Sequence, residues 1–73
     1  GIYGNPITKN KAKEDVRDYL EKSYPGKALY IESVSHNMSA GSYEAWIAGK
    51  DGGFYVSWRD GRILYDTFGE IIK

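Results

Sequence analysis

The apolar positions change their spacing once along the chain, near residue 27. Before that point Ala12, Val16, Tyr19, Leu20 and Tyr24 recur at intervals of three and four, the stripe of a helix buried on one side. Lys11, Glu14, Asp15, Asp18, Glu21 and Lys22 fall on the opposite side. Glu14 and Asp18 form a like-charge pair at one-turn spacing, whereas Asp18 and Lys22 form a favourable one. Thr8 reads as the N-cap, with Ile7 and Ala12 placed to staple across it. Pro25-Gly26 ends the helix, because proline cannot donate its N–H and disfavours a helical conformation in Tyr24. Residues 1–7, with two glycines and Pro6, read as an extended lead-in.

After Lys27 the period drops to two. Leu29 to His36 reads as a strand whose apolar residues slip phase between Ile31 and Val34, which places a bulge near Glu32-Ser33. Asn37 to Gly41 is a loop, Ser42 to Ala48 a second strand and Phe54 to Trp58 a third. Gly49 to Gly53 joins the last two as a Gly-rich hairpin loop. Asp60-Gly61 is the strongest turn signal, of the type I′ kind, and leads into a fourth strand over Arg62 to Asp66. The fold expected is α+β, with one N-terminal helix packed on an antiparallel meander sheet of three to four strands. The expected core is Val16, Leu20, Tyr24, Leu29, Ile31, Val34, Tyr43, Ala45, Ile47, Phe54, Val56, Trp58 and Ile63, with Tyr65 at its margin. The other sheet face would carry Glu44, Trp46, Tyr55, Ser57 and Leu64. A single domain over residues 8–67 is expected, followed by a tail over 68–73.

Composition sharpens this picture. A chain of 73 residues buries only roughly 60% of its unfolded surface, so its core must be efficient. It has no cysteine, which rules out disulfides and thiolate metal sites within it. Seven Tyr, two Trp and two Phe supply the bulk instead, at about 150–250 Å² of buried surface each. Ten basic and ten acidic side chains cancel, which argues against a dedicated nucleic-acid binder or a polybasic membrane surface. No apolar run approaches the ~18–20 residues of a spanning helix, so this segment is not expected to insert into a membrane.

The order of these motifs resembles the PepSY superfamily. The residues that carry the likeness are the Ala-x-x-x-Val-x-x-Tyr-Leu helix stripe, the Ile31 to Val34 strand, Tyr43-Glu44-Ala45-Trp46-Ile47, a Gly-containing hairpin and Asp60-Gly61-Arg62-Ile63-Leu64. The lead-in Tyr3-Gly4-Asn5-Pro6-Ile7 and the Tyr24-Pro25 helix exit are closer to the YfjL-like proteins. The likeness covers residues 4–67 and departs at Arg62, where Glu is usual, and at Trp46, where a smaller β-branched residue is common. It implies a domain just outside the membrane of a Gram-positive bacterium, in a membrane-anchored protein or lipoprotein. PepSY domains act as propeptide-like inhibitors or regulators of extracytoplasmic peptidases, so the role implied is regulation by protein contact, without catalytic residues of its own.

Candidate chemistry is sparse. His36 is the single histidine and has no Cys or second His to build a metal site, so it reads as a strand-end residue beside solvent or a tyrosine. Glu14, Asp15, Asp18 and Glu21 sit on the polar helix face, where solvation keeps carboxylates ordinary. Lys50-Asp51-Gly52-Gly53 lacks both the spacing of a phosphate loop and the oxygen ligands of a calcium loop. Serines and threonines are scattered without a nucleophile elbow. No cofactor, no metal and no catalytic residue is expected. The ambiguous signal is aromatic: Trp46, Tyr55 and Leu64 share a face, with Arg59 and Arg62 nearby. Cross-strand aromatic pairs can serve the sheet alone. They can also dock a protein, either another chain or a second domain of the same one. Aromatics interleaved with arginines also serve single-stranded nucleic acid, so the rival reading is a cytosolic nucleic-acid or peptide adaptor using this face; the zero net charge stands against nucleic acid.

Overall fold

The structure, a computed structural model, describes residues 6–50 and 52–68. Its elements run α1 (Pro6–Ser23), β1 (Tyr30–Asn37), β2 (Ser42–Ala48), β3 (Phe54–Arg59) and β4 (Arg62–Asp66). The strands form one antiparallel meander in the order β1-β2-β3-β4, and α1 lies across one face of it. This is the α+β architecture expected from the switch in period.

The helix begins two residues before Thr8, so Thr8 is a residue of the first turn and not the N-cap. The reason lies in Pro6, whose fixed φ suits the first helical turn and whose missing N–H has no helical acceptor to lose there. The side chain of Ile7, and with it the expected staple, lies outside the described residues. At the other end Tyr24 N–H still reaches the Leu20 carbonyl at 2.8 Å. Pro25 then stops the helix, and Gly26 turns the chain at φ 80°, a left-handed value that an L side chain rarely adopts.

Ala12, Val16 and Leu20 are buried against Val34, Tyr43, Ala45, Ile47, Phe54, Val56 and Trp58. Tyr19, Tyr24, Leu29, Ile31, Ile63 and Phe68 are partly buried around that centre. Phe68 was expected in the tail but belongs to the core: its ring lies 4.3 Å from Tyr24 and 5.0 Å from Phe54. Thr67 extends the β4 side by one more pair, donating its N–H to the Tyr55 carbonyl at 3.0 Å.

Two bulges set the phase of the sheet. Between Ile31 and Ser33 the β1–β2 register shifts, leaving Glu32 as the extra residue, at the expected place. Ile31, Val34 and His36 can therefore all face the helix side, opposite Ile47, Ala45 and Tyr43. The second bulge lies in β4. Trp58 pairs with Ile63 but Ser57 pairs with Tyr65, so Leu64 is the extra residue. Asp60 and Gly61 both have positive φ (50° and 82°), as a type I′ turn requires, and Arg59 faces Arg62 across it. The expected β4 phase fails three residues further on, at the bulge: Tyr65 leaves the core margin and joins the outer face.

Candidate functional site

α1 covers one sheet face, and the register assigns the other face row by row. Ser33, Trp46 and Tyr55 form one row, and Ser35, Glu44, Ser57 and Tyr65 the next. Trp46 and Tyr55 stand directly opposite, ring centres 5.0 Å apart and planes inclined at 48°. Tyr55 meets Tyr65 edge to face at 5.9 Å and 76°. Trp46 is 45% exposed and Tyr65 48%, while Ser57 is buried among their neighbours at 1%. The result is a shallow aromatic ladder three side chains wide on the side the helix leaves open.

Of the five residues that pattern and spacing bring to this face, the structure brings Trp46 and Tyr55 into contact. Leu64 is exposed at the bulge. Arg59 and Arg62 stand as a pair at the Asp60-Gly61 end, where with Asp60 and Leu64 they line a hollow of about 370 Å³. Arg59 Nη1 also donates to the Ala40 carbonyl at 3.3 Å, tying the 60–61 turn to the 38–41 turn. Tyr65 completes the ladder and was missed, because alternation counted from the Asp60-Gly61 turn puts it on the helix side. Nothing in Ile63-Leu64-Tyr65 marks a bulge: the segment lacks the glycine of a G1 bulge and reads as an unbroken strand.

Both sheet edges are irregular. β1 is interrupted at Glu32 and β4 at Leu64, and each break disrupts the flat ladder that a strand added from outside would need. A second hollow, of about 450 Å³, opens between the C-terminal end of α1 and the start of β1. Leu20, Tyr24 and Leu29 line it together with Arg17 and Glu21.

The helix side holds two carboxylates that are not ordinary. Asp15, expected on the solvated face, accepts a hydrogen bond from the Trp58 indole N–H at 2.7 Å and pairs with Lys11 at 3.0 Å. Partial burial alone would raise its pKa. The Lys11 ammonium and the indole N–H outweigh that and hold it below the usual aspartate range. The amphipathic pattern misplaces Asp15 because the residue sits where the polar and apolar sides of α1 meet, within reach of a large ring on β3. Glu14, Asp18 and Glu21 are exposed as expected.

Asp66 is the second case. The hydroxyls of Tyr19 and Tyr24 both donate to its Oδ2, Tyr24 at 2.8 Å, and the Phe68 N–H donates to Oδ1 at 3.1 Å. Burial pushes this carboxyl up, but three donors outweigh it and leave the pKa below the ordinary value. Burial and the facing carboxylate push both tyrosines the other way, above the usual phenol range. A general acid or base works best with a pKa near the operating pH, and these groups have moved away from neutrality on both sides. The cluster is a clamp between the end of α1 and the end of β4. His36 packs beside Tyr43, ring centres 4.6 Å apart and planes tilted by 34°. Among the described residues no three His, Cys, Asp or Glu side chains come together as a metal site would need, and no helix is long and apolar enough to cross a membrane.

One helix on a four-stranded meander, with an open aromatic face and with Asp15 and Asp66 held in structural contacts, defines a small α+β domain whose distinctive surface is a sheet face. The chain belongs to the YfjL-like family, since residues 1–66 match the family's N-terminal domain. No curated protein and no solved structure matches it.

Proposed function

We propose that the chain is a non-catalytic, PepSY-like domain on the extracytoplasmic face of a Gram-positive membrane-anchored protein or lipoprotein, and that it acts by protein contact through the Trp46–Tyr55–Tyr65 face. The observation that carries this reading is the exposed aromatic ladder on the side opposite the helix. Contiguous exposed apolar patches tend to mark interaction sites, and Trp and Tyr are the residues most enriched at binding hot spots. The bulges in β1 and β4 favour the face over strand addition at an edge. The family description names this domain as N-terminal, so a following domain of the parent is one source of the partner, and the PepSY resemblance adds an extracytoplasmic peptidase as the other. Nucleic acid is the weaker reading, since the net charge is zero and the rings are inclined instead of forming a flat platform.

The test is capture by the intact parent's partner. Trp46→Ser with Tyr55→Ser should weaken capture by about 30-fold or more, the loss of ~2 kcal/mol that one hot-spot residue carries. Circular dichroism of the double variant should still report the native fold. Full-strength capture by a folded double variant would remove the face as the docking surface.

A further inference from the structure

The outer face carries aromatic rings across two neighbouring rows and arginines at one end. Arg59 and Arg62 are direct cross-strand partners, and both are exposed. Like charges placed opposite each other in a sheet are destabilising, by an amount comparable to the gain from a favourable pair. The described residues do little to offset this. Arg59 reaches only a neutral carbonyl, that of Ala40, and neither guanidinium forms an ion pair among the described residues. The two arginines therefore share the lining of a hollow whose remaining residues are Asp60 and Leu64. The Arg59–Arg62 pair and the Ser57–Tyr65 pair are neighbouring outer-face positions of β3 and β4, so the hollow borders the aromatic ladder.

We infer that the partner segment seated on this face presents a carboxylate and apolar side chains on the same side, at every second position of an extended chain: the carboxylate takes the Arg59–Arg62 end while the apolar side chains lie on Trp46, Tyr55 and Tyr65. The inference rests on the face reading above and adds the chemistry of the occupant. Guanidinium groups match carboxylates with two parallel N–H···O bonds, a geometry that lysine cannot reproduce. A protein carboxylate fits better than a nucleic-acid backbone because Glu44 sits half-buried in the row between the arginines and Trp46. A phosphate chain crossing this face would run past Glu44, whereas one side-chain carboxylate at the end of the face avoids it.

The experiment titrates the full chain with a twelve-nucleotide oligouridine and with three peptides of the form X-Ser-Leu-Ser-Leu-Ser-Leu, X being Asp, Ser or Lys, named Asp-Leu, Ser-Leu and Lys-Leu for the residues on their shared side. Binding is followed by NMR at the Trp46 indole N–H and the arginine Nε–H groups. The Asp-Leu peptide should bind at least tenfold more tightly than Ser-Leu and shift both sets of signals. Arg59→Glu with Arg62→Glu should abolish that advantage and transfer it to Lys-Leu, and Arg59→Lys with Arg62→Lys should retain only part of it. Equal binding of Asp-Leu and Ser-Leu, no binding of Asp-Leu, or preferential binding of oligouridine would overturn the inference. If Ser-Leu binds as well as Asp-Leu and Trp46→Ser with Tyr55→Ser abolishes both, the face reading stands and the acidic partner alone is lost.

Discussion

Leu20→Ala should destabilise the domain by about 2–5 kcal/mol, the range for truncating a buried leucine. Leu20 is 4% exposed, in the last part of the helix stripe, and the same stripe supplies Ala12 and Val16 to the core. An isolated helix of this length is marginal in water, so α1 depends on that packed stripe more than on its own propensity. A domain this small has little stability in reserve, and each kcal/mol moves its melting temperature by about 4–8 °C. The variant should therefore melt at least ~10 °C below the parent in a circular-dichroism scan. A coincident melt would mean that the helix is not held by this face.

Asp66→Ala should cost about 1–3 kcal/mol, because it leaves the Tyr19 and Tyr24 hydroxyls and the Phe68 N–H without their acceptor. The cluster also sets two limits on pH. The folded-state pKa of Asp66 lies below its unfolded value, so its contribution is present above pH ~4 and is lost as pH falls through the folded value. Tyr24 is raised, so its contribution is present below pH ~10 and is lost as pH rises through its higher folded value. Urea unfolding from pH 2 to 7 should show a stability difference between parent and Asp66→Ala that is largest at neutral pH and shrinks towards pH 2. A pH-independent difference would assign the loss to packing instead.

Much of this architecture was legible in residue order. The helix stripe, the Asp60-Gly61 turn and the out-of-phase Ile31 and Val34 each have a local cause, so α1, the last hairpin and the β1 bulge could be read without coordinates. What escaped reading depends on contacts between distant residues. Asp15 meets Trp58 across 43 positions, and Asp66 meets Tyr19 across 47. No local pattern distinguishes those carboxylates from solvated ones. The β4 bulge is similar: it shows only in the pairing with β3, and it moves Tyr65 from the margin of the expected core to the outer face. The candidate face was therefore legible as Trp46 and Tyr55 but not in its full width.

The two tryptophans allow the most direct test of that face. Trp46 is on the outer face and half-exposed, whereas Trp58 is buried on the helix side. Labelling both with 5-fluorotryptophan gives two fluorine signals, which can be followed as the proposed protein partner is added. Docking on the face predicts that the Trp46 signal shifts and loses its solvent-isotope dependence while Trp58 stays in place. A complex that forms with the Trp46 signal unmoved and still solvent-sensitive would contradict the account.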